Sequence, residues 1–349
     1  MSPMLRADAL RAFSESLCRA AGLSAEDAAL LSDSILFAEV RRVASHGLLR
    51  LPQYIARIRA GITAVGAEPE VVTESGAIAL IDAKNGLGQI AGLRAVEKAE
   101  ELARLYGISF VGVKNSSHFG TGAWFARPSA ERGFFAFNLS SAPSAMAPYG
   151  ARDELLGTDP VCLALPRGEG KPPLILDMAL STAARGKVRL AALNGEPIPA
   201  DWGLDRDGAP TTDPNAVLEG GSLLPIGGAK GSGLAIFTEL LCSVLTGSGI
   251  LGGGGQLSDL SRTSGTGHIF GCVEISRFLP ADKFTELCEE SLARITALSP
   301  AKADGEVLLP GEPEERNTAA CLETGIPVSD ALRAQLNKLA EELGCSERI

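Results

Sequence analysis

Histidine is scarce, with three in 349 residues, so any imidazole chemistry falls to His46, His118 or His268. Positive charge is also short: 32 lysines and arginines against 42 aspartates and glutamates leave a net charge of −10. That balance excludes nucleic acid or anionic lipid as the main partner, since both demand a basic surface. It leaves a small anionic substrate open, because local charge decides binding. The seven cysteines are odd in number, scattered and without a Cys-x-x-Cys pair. They read as reduced thiols in a cytoplasmic protein rather than a disulfide frame or zinc site, and no metal is expected. No apolar run approaches the ~18 residues of a membrane span, and no basic-then-apolar signal pattern opens the chain. The reading is a soluble, unexported protein, long enough for two or three packed units.

What is present begins with Ser45-His46-Gly47-Leu48-Leu49-Arg50, a hydroxyl, an imidazole and a guanidinium within six residues. If it opens a helix with the run 48–57, His46 and Arg50 stand four apart on one side, where one small anion touches both. An imidazole delivers a proton near neutral pH, and a guanidinium holds a carboxylate through two parallel hydrogen bonds. The bland alternative is a helix-capping Ser45 followed by a surface histidine and arginine.

Ser2-Pro3 has the form of a cap with proline at the first helical position, before an apolar stripe of Leu10, Phe13 and Leu17. Ser24 opens a second helix with an acidic first turn, and a third ends near Arg59. A strand at 77–82 leads through Asn85-Gly86-Leu87-Gly88-Gln89-Ile90-Ala91-Gly92 into a helix at about 93–106. Those glycines approach a dinucleotide fingerprint, but the last spacing is wrong and no regular strand and helix alternation follows. A glycine turn without a ligand is the reading. The strand at 108–113 delivers Asn115-Ser116-Ser117-His118-Phe119-Gly120, after which the first amides of a helix at 121–125 offer a seat for phosphate. His118 reads equally as a partly buried histidine satisfied by its neighbours.

Thr158, in Gly157-Thr158-Asp159-Pro160, is explicable as a turn former, and 161–166 with 174–179 form a hairpin. Residues 194–216 make a polar surface excursion. Gly228-Ala229-Lys230-Gly231-Ser232-Gly233 opens a helix at 234–245 that is too uniformly apolar to face water, so it is core or subunit interface. It is not a P-loop; Lys230 suits a phosphate or ribose edge, with close helix packing as the alternative. His268 starts a strand and reads as structural. An amphipathic helix at 281–297 and a peripheral one at 329–343 follow.

Ser45-His46-Gly47, the 115–120 stretch, Gly157-Thr158-Asp159-Pro160 and the 228–233 stretch come in this order, with the likeness running from about residue 30 to 325. Together they resemble the malate/L-lactate dehydrogenase family of nicotinamide-dependent oxidoreductases, which is distinct from the Rossmann-type enzymes. That family also holds ureidoglycolate and sulfolactate dehydrogenases and piperideine/pyrroline-2-carboxylate reductases. The resemblance implies an α+β fold with a helical N-terminal unit (1–70) carrying the catalytic segment. A largely antiparallel, sheet-rich domain (71–190, with part of 258–316) would bind NAD or NADP. An excursion with an apolar helix (191–257) and a C-terminal unit (258–349) complete the chain.

The same resemblance implies catalysis by His46 oriented by Ser45, a carboxylate clamp at Arg50, and a substrate wall of His118 and Thr158. It places cofactor contacts at Gly120, Thr121, Gly122, Ala123 and Trp124, at Asp177, Met178 and Ala179, and at Lys230 and Gly231. A late loop adds Pro310, Gly311 and Glu312, with Arg316 giving charge to a phosphate. Asp159 stands where the family commonly has asparagine. Lys187 occupies a catalytic position where the imine reductases place an aspartate; lysine is what the hydroxy-acid branches tend to show. The segment 218–225 points instead to the imine reductases, so the substrate class stays open.

The expected reaction is hydride transfer between NAD(P)H and C2 of a small 2-oxo acid, with a cyclic 2-imino acid as the alternative. The resemblance also implies a homodimer. A serine hydrolase using Ser45 is disfavoured by the lack of a Gly-x-Ser-x-Gly elbow. A non-catalytic ligand-binding protein is the remaining rival.

Overall fold

The computed structural model describes residues 4–302 and 304–349. After β1 (Met4–Leu5), α1 (Ala7–Ala20) buries the stripe of Leu10, Phe13 and Leu17. The Ser2-Pro3 start lies outside the described residues. Ser24 caps α2 (Ala25–Val40), its hydroxyl accepting the Asp27 amide at 3.0 Å. Two short 3-10 turns then lead into α3 (Leu51–Arg59), with Pro52 in its first turn.

Next come β2 (Glu70–Ser75), β3 (Ile78–Asp82) and α4 (Gly88–Tyr106), which starts inside the glycine-rich stretch rather than near residue 93. Those glycines serve close packing. A Cβ on Gly88 would lie 2.3 Å from the Ser117 carbonyl oxygen, and one on Gly92 2.5 Å from the Phe125 ring. The chain continues with β4 (Phe110–Ser116), α5 (Gly122–Glu131), β5 (Phe134–Ser140), β6 (Val161–Leu165), β7 (Leu174–Met178) and α6 (Arg185–Asn194). The excursion folds as β8 (Gly203–Leu204), α7 (Pro214–Leu218) and β9 (Ser222–Leu223), and α8 (Ala229–Glu239) runs on into a π-helical turn at Leu240–Val244. The chain closes with β10 (Thr266–Glu274), α9 (Ala281–Thr296), α10 (Glu312–Thr324), β11 (Ile326–Pro327) and α11 (Asp330–Glu342).

Seven strands form the main sheet in the order β2-β3-β4-β10-β5-β6-β7. Only β3 and β4 pair in parallel, as the crossover through α4 requires; every other neighbour in this sheet is antiparallel. The fold is therefore α+β with a mostly antiparallel sheet. Its core packs α4 and α5 on the sheet through residues such as Val111, Phe125 and Phe270. A second core joins Leu10, Phe13, Leu31 and Leu48 to Cys321, Ile326, Leu336 and Ala340. The last ninety or so residues are thus divided: β10 enters the centre of the sheet, whereas β11 pairs with β1 and α11 buries Leu336 and Ala340 among the N-terminal helices. A third core, around Met146, Leu180 and Leu223, holds the excursion.

Candidate active site

The Ser45–Arg50 segment is not the single helix expected from its spacing. Residues Ala44–His46 and Leu48–Arg50 form separate 3-10 turns, broken at Gly47. The break has a cause in α2: a Cβ on Gly47 would sit 2.2 Å from Oε1 of Glu39, the carboxyl that accepts the Leu48 amide at 2.6 Å. Burial pushes the Glu39 carboxyl up to about 7, against the opposing Leu48 hydrogen bond.

This turn still aims the expected side chains together. Ser45 Oγ and His46 Nδ1 are 2.9 Å apart. Arg50 donates from Nε to the Ser45 carbonyl at 2.7 Å and from Nη1 to Gln53 at 2.9 Å. The His46 and His118 rings stack with centroids 5.3 Å apart at 24°. At His118, Nδ1 lies 3.3 Å from the Gly120 amide and 2.6 Å from Tyr54 Oη. The Gly120 amide can only donate, so Nδ1 accepts and the proton of a neutral His118 sits on Nε2. Tyr54 accepts in turn from Gln89 Nε2 at 3.2 Å.

The electrostatics follow from crowding. Desolvation, then the neighbouring Arg50, lowers His46 to about 4. His118 falls well below the usual histidine value through desolvation, Arg50, His46 and His268. Burial lifts Tyr54 to about 12, so it stays a phenol. Both imidazoles are neutral at pH 7 beside a cationic guanidinium.

The loop from His118 runs directly to α5, where a further expectation is corrected. One amide of the phosphate seat expected at the start of α5 is taken: Asp177 Oδ2, near the end of β7, accepts the Ala123 amide at 2.9 Å. Protein packed around Asp177 raises its carboxyl to about 6 although the residue keeps exposed surface; the Ala123 hydrogen bond and Arg41 oppose the rise. Gly122 is pressed so close that a Cβ there would meet Asn138 Oδ1 at 2.5 Å. Trp124 points away from this carboxyl and donates Nε1 to Asp33 at 2.9 Å. Thr121 carries a buried hydroxyl with no partner among the described residues. Met178 and Ala179, following Asp177, are half-buried.

Thr158 is half-buried, and its carbonyl accepts the Leu180 amide at 2.7 Å. Gly186, at the start of α6, places its Cβ position 3.4 Å from Ser45 Cβ. Lys187 beside it is exposed and, among the described residues, makes no hydrogen bond or ion pair with Ser45 or His46. Lys230 is exposed in the first turn of α8. Gly231 is fixed by packing, since a Cβ would lie 1.9 Å from the Ile226 carbonyl oxygen. Pro310 and Gly311 lie along β7, the Pro310 carbonyl accepting the Ile175 amide at 3.4 Å. Arg316 is held by Glu306 at 2.9 Å and Glu312 at 2.6 Å, so its charge is matched by two carboxylates. His268 is structural, 2.9 Å from the hydroxyls of both Ser140 and Ser116 and stacked on Phe119.

Residues 5–337 match the family model described as malate/L-lactate dehydrogenase. The chain belongs to the malate/L-lactate dehydrogenase family. This family member is 38% identical over 338 residues to the (2R)-3-sulfolactate dehydrogenase (NADP(+)) of Chromohalobacter salexigens, covering 96% of this chain and 98% of that protein. It is 33% identical over 331 residues to a Delta(1)-pyrroline-2-carboxylate/Delta(1)-piperideine-2-carboxylate reductase of Pseudomonas putida, covering 93% and 92% of the two. The sulfolactate dehydrogenase structure from Methanocaldococcus jannaschii shares its fold with a TM-score of 0.91 at 31% identity, over 98% of each chain.

Three residues of this dehydrogenase-family site escaped the sequence reading: Tyr54, Gln89 and Glu39. Tyr54 had a signal, as one of three tyrosines and four residues beyond Arg50. Gln89 lay within the glycine-rich stretch, read as having no ligand, and nothing local marks Glu39.

Proposed function

We propose that this protein is an NAD(P)H-dependent oxidoreductase interconverting a small 2-oxo acid and the corresponding 2-hydroxy acid. The observation that carries the reading is the stacked pair of neutral imidazoles, His46 and His118, next to Arg50. Arg50 holds the substrate carboxylate, and His118 offers its Nε2 proton to the substrate. Arg189, three residues past Gly186 on α6, adds positive charge: after burial, it further lowers the Arg50 pKa, against the opposing effect of Tyr54. A surplus of positive charge suits an anion.

The residues fit a nicotinamide cofactor. Thr121 has an unpartnered hydroxyl, and Asp177, Met178 and Ala179 keep accessible surface near it. Gly120–Trp124, Asp177–Ala179, Lys230 with Gly231, and Pro310–Glu312 would hold it; Arg316 reaches a phosphate only by leaving Glu306 and Glu312. When bound, the cofactor exchanges a hydride with C2 of the substrate. As C2 is reduced, charge grows on the substrate oxygen and His46 supplies the proton there. Ser45 Oγ fixes the ring through Nδ1, so Nε2 is the nitrogen that faces the chemistry. An anionic substrate beside Arg50 offsets the charge that depresses His46 and lets the ring take up a proton on binding.

Sequence likeness to the Pseudomonas putida reductase supports the second reading, reduction of a cyclic 2-imino acid. Against it, the imine-like 218–225 segment is used structurally: Leu223 is buried in β9. A panel of 2-oxo acids and cyclic 2-imino acids, assayed with NADH and NADPH by nicotinamide absorbance, is expected to show turnover of a 2-oxo acid. Turnover of imines alone selects the second reading, and cofactor binding without turnover of either class removes the enzyme.

The working form is a cytoplasmic homodimer. Seven free thiols support the compartment, and the face of α8 supports the assembly, with Leu234 55%, Ile236 41% and Phe237 69% exposed. A dimer burying more than ~2,000 Å² in total would cover that face. Light scattering at micromolar concentration is expected to give twice the chain mass, and an active monomer overturns the assembly.

A further inference from the structure

Asp159 and Glu239 are two buried carboxyls that the proposed chemistry does not use. Asp159 is fully buried on a left-handed backbone (φ 35°). Its Oδ1 accepts the Ala142 amide at 3.0 Å, and its Oδ2 has no partner among the described residues. Glu239, the last residue of α8, is 1% exposed. Its Oε1 accepts from Ser243 Oγ at 2.9 Å and from the Leu251 amide at 2.7 Å, while Oε2 has no partner among the described residues. Glu239 lines a small polar cavity with Ser141, Ala142, Ser264 and Thr266, and Ala142 is the residue that Asp159 holds.

The charge around this pair is one-sided. Burial first and the Glu239 charge second hold Asp159 well above the carboxylate range, and burial raises Glu239. Cys242 faces both, its thiol pushed up by burial and then by the two acids. Among the described residues, no lysine, arginine or histidine forms a hydrogen bond or ion pair with either carboxyl. Two such groups do not both ionise; the cheapest neutraliser is a proton.

We propose that Asp159 is a positioning residue, a neutral carboxylic acid buried without a cation near Glu239, and that it thereby holds the 157–160 turn presenting Thr158. This rests on the reading of Thr158 as part of the substrate wall. The link to the site is short: Thr158 precedes Asp159, and its carbonyl fixes the Leu180 amide at 2.7 Å. Ionising Asp159 sets two charges against each other beneath that turn. Because the folded-state pKa is raised, the pair contributes full stability below the ordinary carboxyl range of about 4 and loses it as pH rises through the folded value.

Asp159→Asn in the full chain tests this, since the amide has the same shape and cannot ionise. In the parent protein, kcat/KM for hydroxy-acid oxidation is expected to fall about tenfold per pH unit on the alkaline side, together with Tm. The variant keeps neutral-pH activity and loses both alkaline limbs, and its infrared spectrum at neutral pH loses a protonated-carboxyl band. Asp159→Leu raises KM more than it lowers kcat. Glu239→Gln, which takes away the neighbouring charge that helps raise Asp159, moves both limbs to lower pH and serves if Asp159→Asn misfolds. The proposal is overturned if Asp159→Asn leaves the parent's pH profiles or infrared band unchanged. It is equally overturned if stability responds and kcat/KM does not, since Asp159 then positions nothing. Should no hydroxy acid be turned over at all, the proposed function fails, while Tm and the infrared band still decide the protonation of Asp159.

Discussion

His46→Ala is expected to lower kcat by about 10²–10⁴-fold, the usual worth of a placed acid–base group, with cofactor affinity nearly unchanged. The ring is fixed on one side by Ser45 Oγ at 2.9 Å and stacked on the other by His118, so alanine removes the proton carrier without opening the fold. The depressed pKa, to about 4, gives a second signature. In the oxidation direction the neutral ring is ready to accept a proton, and kcat/KM holds level at neutral pH and drops below about pH 4–5. In the reduction direction the free enzyme must take up one proton, so kcat/KM falls about tenfold per pH unit across neutrality. Steady-state rates in both directions check this. A variant retaining more than about a tenth of kcat removes His46 from the chemistry.

Arg50→Lys is expected to raise KM for the 2-oxo acid by about tenfold or more, with a smaller effect on kcat, because a charge-assisted hydrogen bond is worth about 1.5–3 kcal/mol. The guanidinium has two jobs at once. Its Nε ties the Ser45 carbonyl and its Nη1 ties Gln53, which leaves the fork pre-aimed for a carboxylate. Lysine is a single charged point and cannot hold the turn and the substrate together. An unchanged KM places the carboxylate elsewhere, with Arg189 the next residue to replace.

The parts of the molecule legible in the sequence are those fixed by near neighbours. Ser24 capping α2 and the β6–β7 hairpin needed only local pattern. Order and spacing of the short motifs identified the family, because four matches in sequence constrain one another. What could not be read depends on contacts between distant residues. The helix expected through His46 is broken by Glu39, whose carboxyl occupies the space a side chain at 47 would need. One amide of the expected phosphate seat at α5 is taken by Asp177, 54 positions from it. Arg316 has the residue type of an anion ligand, yet Glu306 and Glu312 take its charge. Local sequence announces which groups are available and leaves open which partner reaches them first.

The pairing of β1 with β11 bears on how the protein is made. Met4 lies opposite Pro327, and Leu48, in the turn just after His46, shares its core with Ile326, Leu336 and Ala340. A ribosome releases the Ser45-His46 segment early, but the side chains that complete its hydrophobic support emerge last. During synthesis β2, β3 and β4 can pair beside α4, and β5, β6 and β7 beside α5, but the two halves join only when β10 arrives between them, and the N-terminal helices wait longer still with an apolar flank uncovered. Contacts spanning some three hundred residues close slowly. A premature stop anywhere after α10 (Glu312–Thr324) therefore removes no residue of the chemical centre, yet leaves that centre without its foundation.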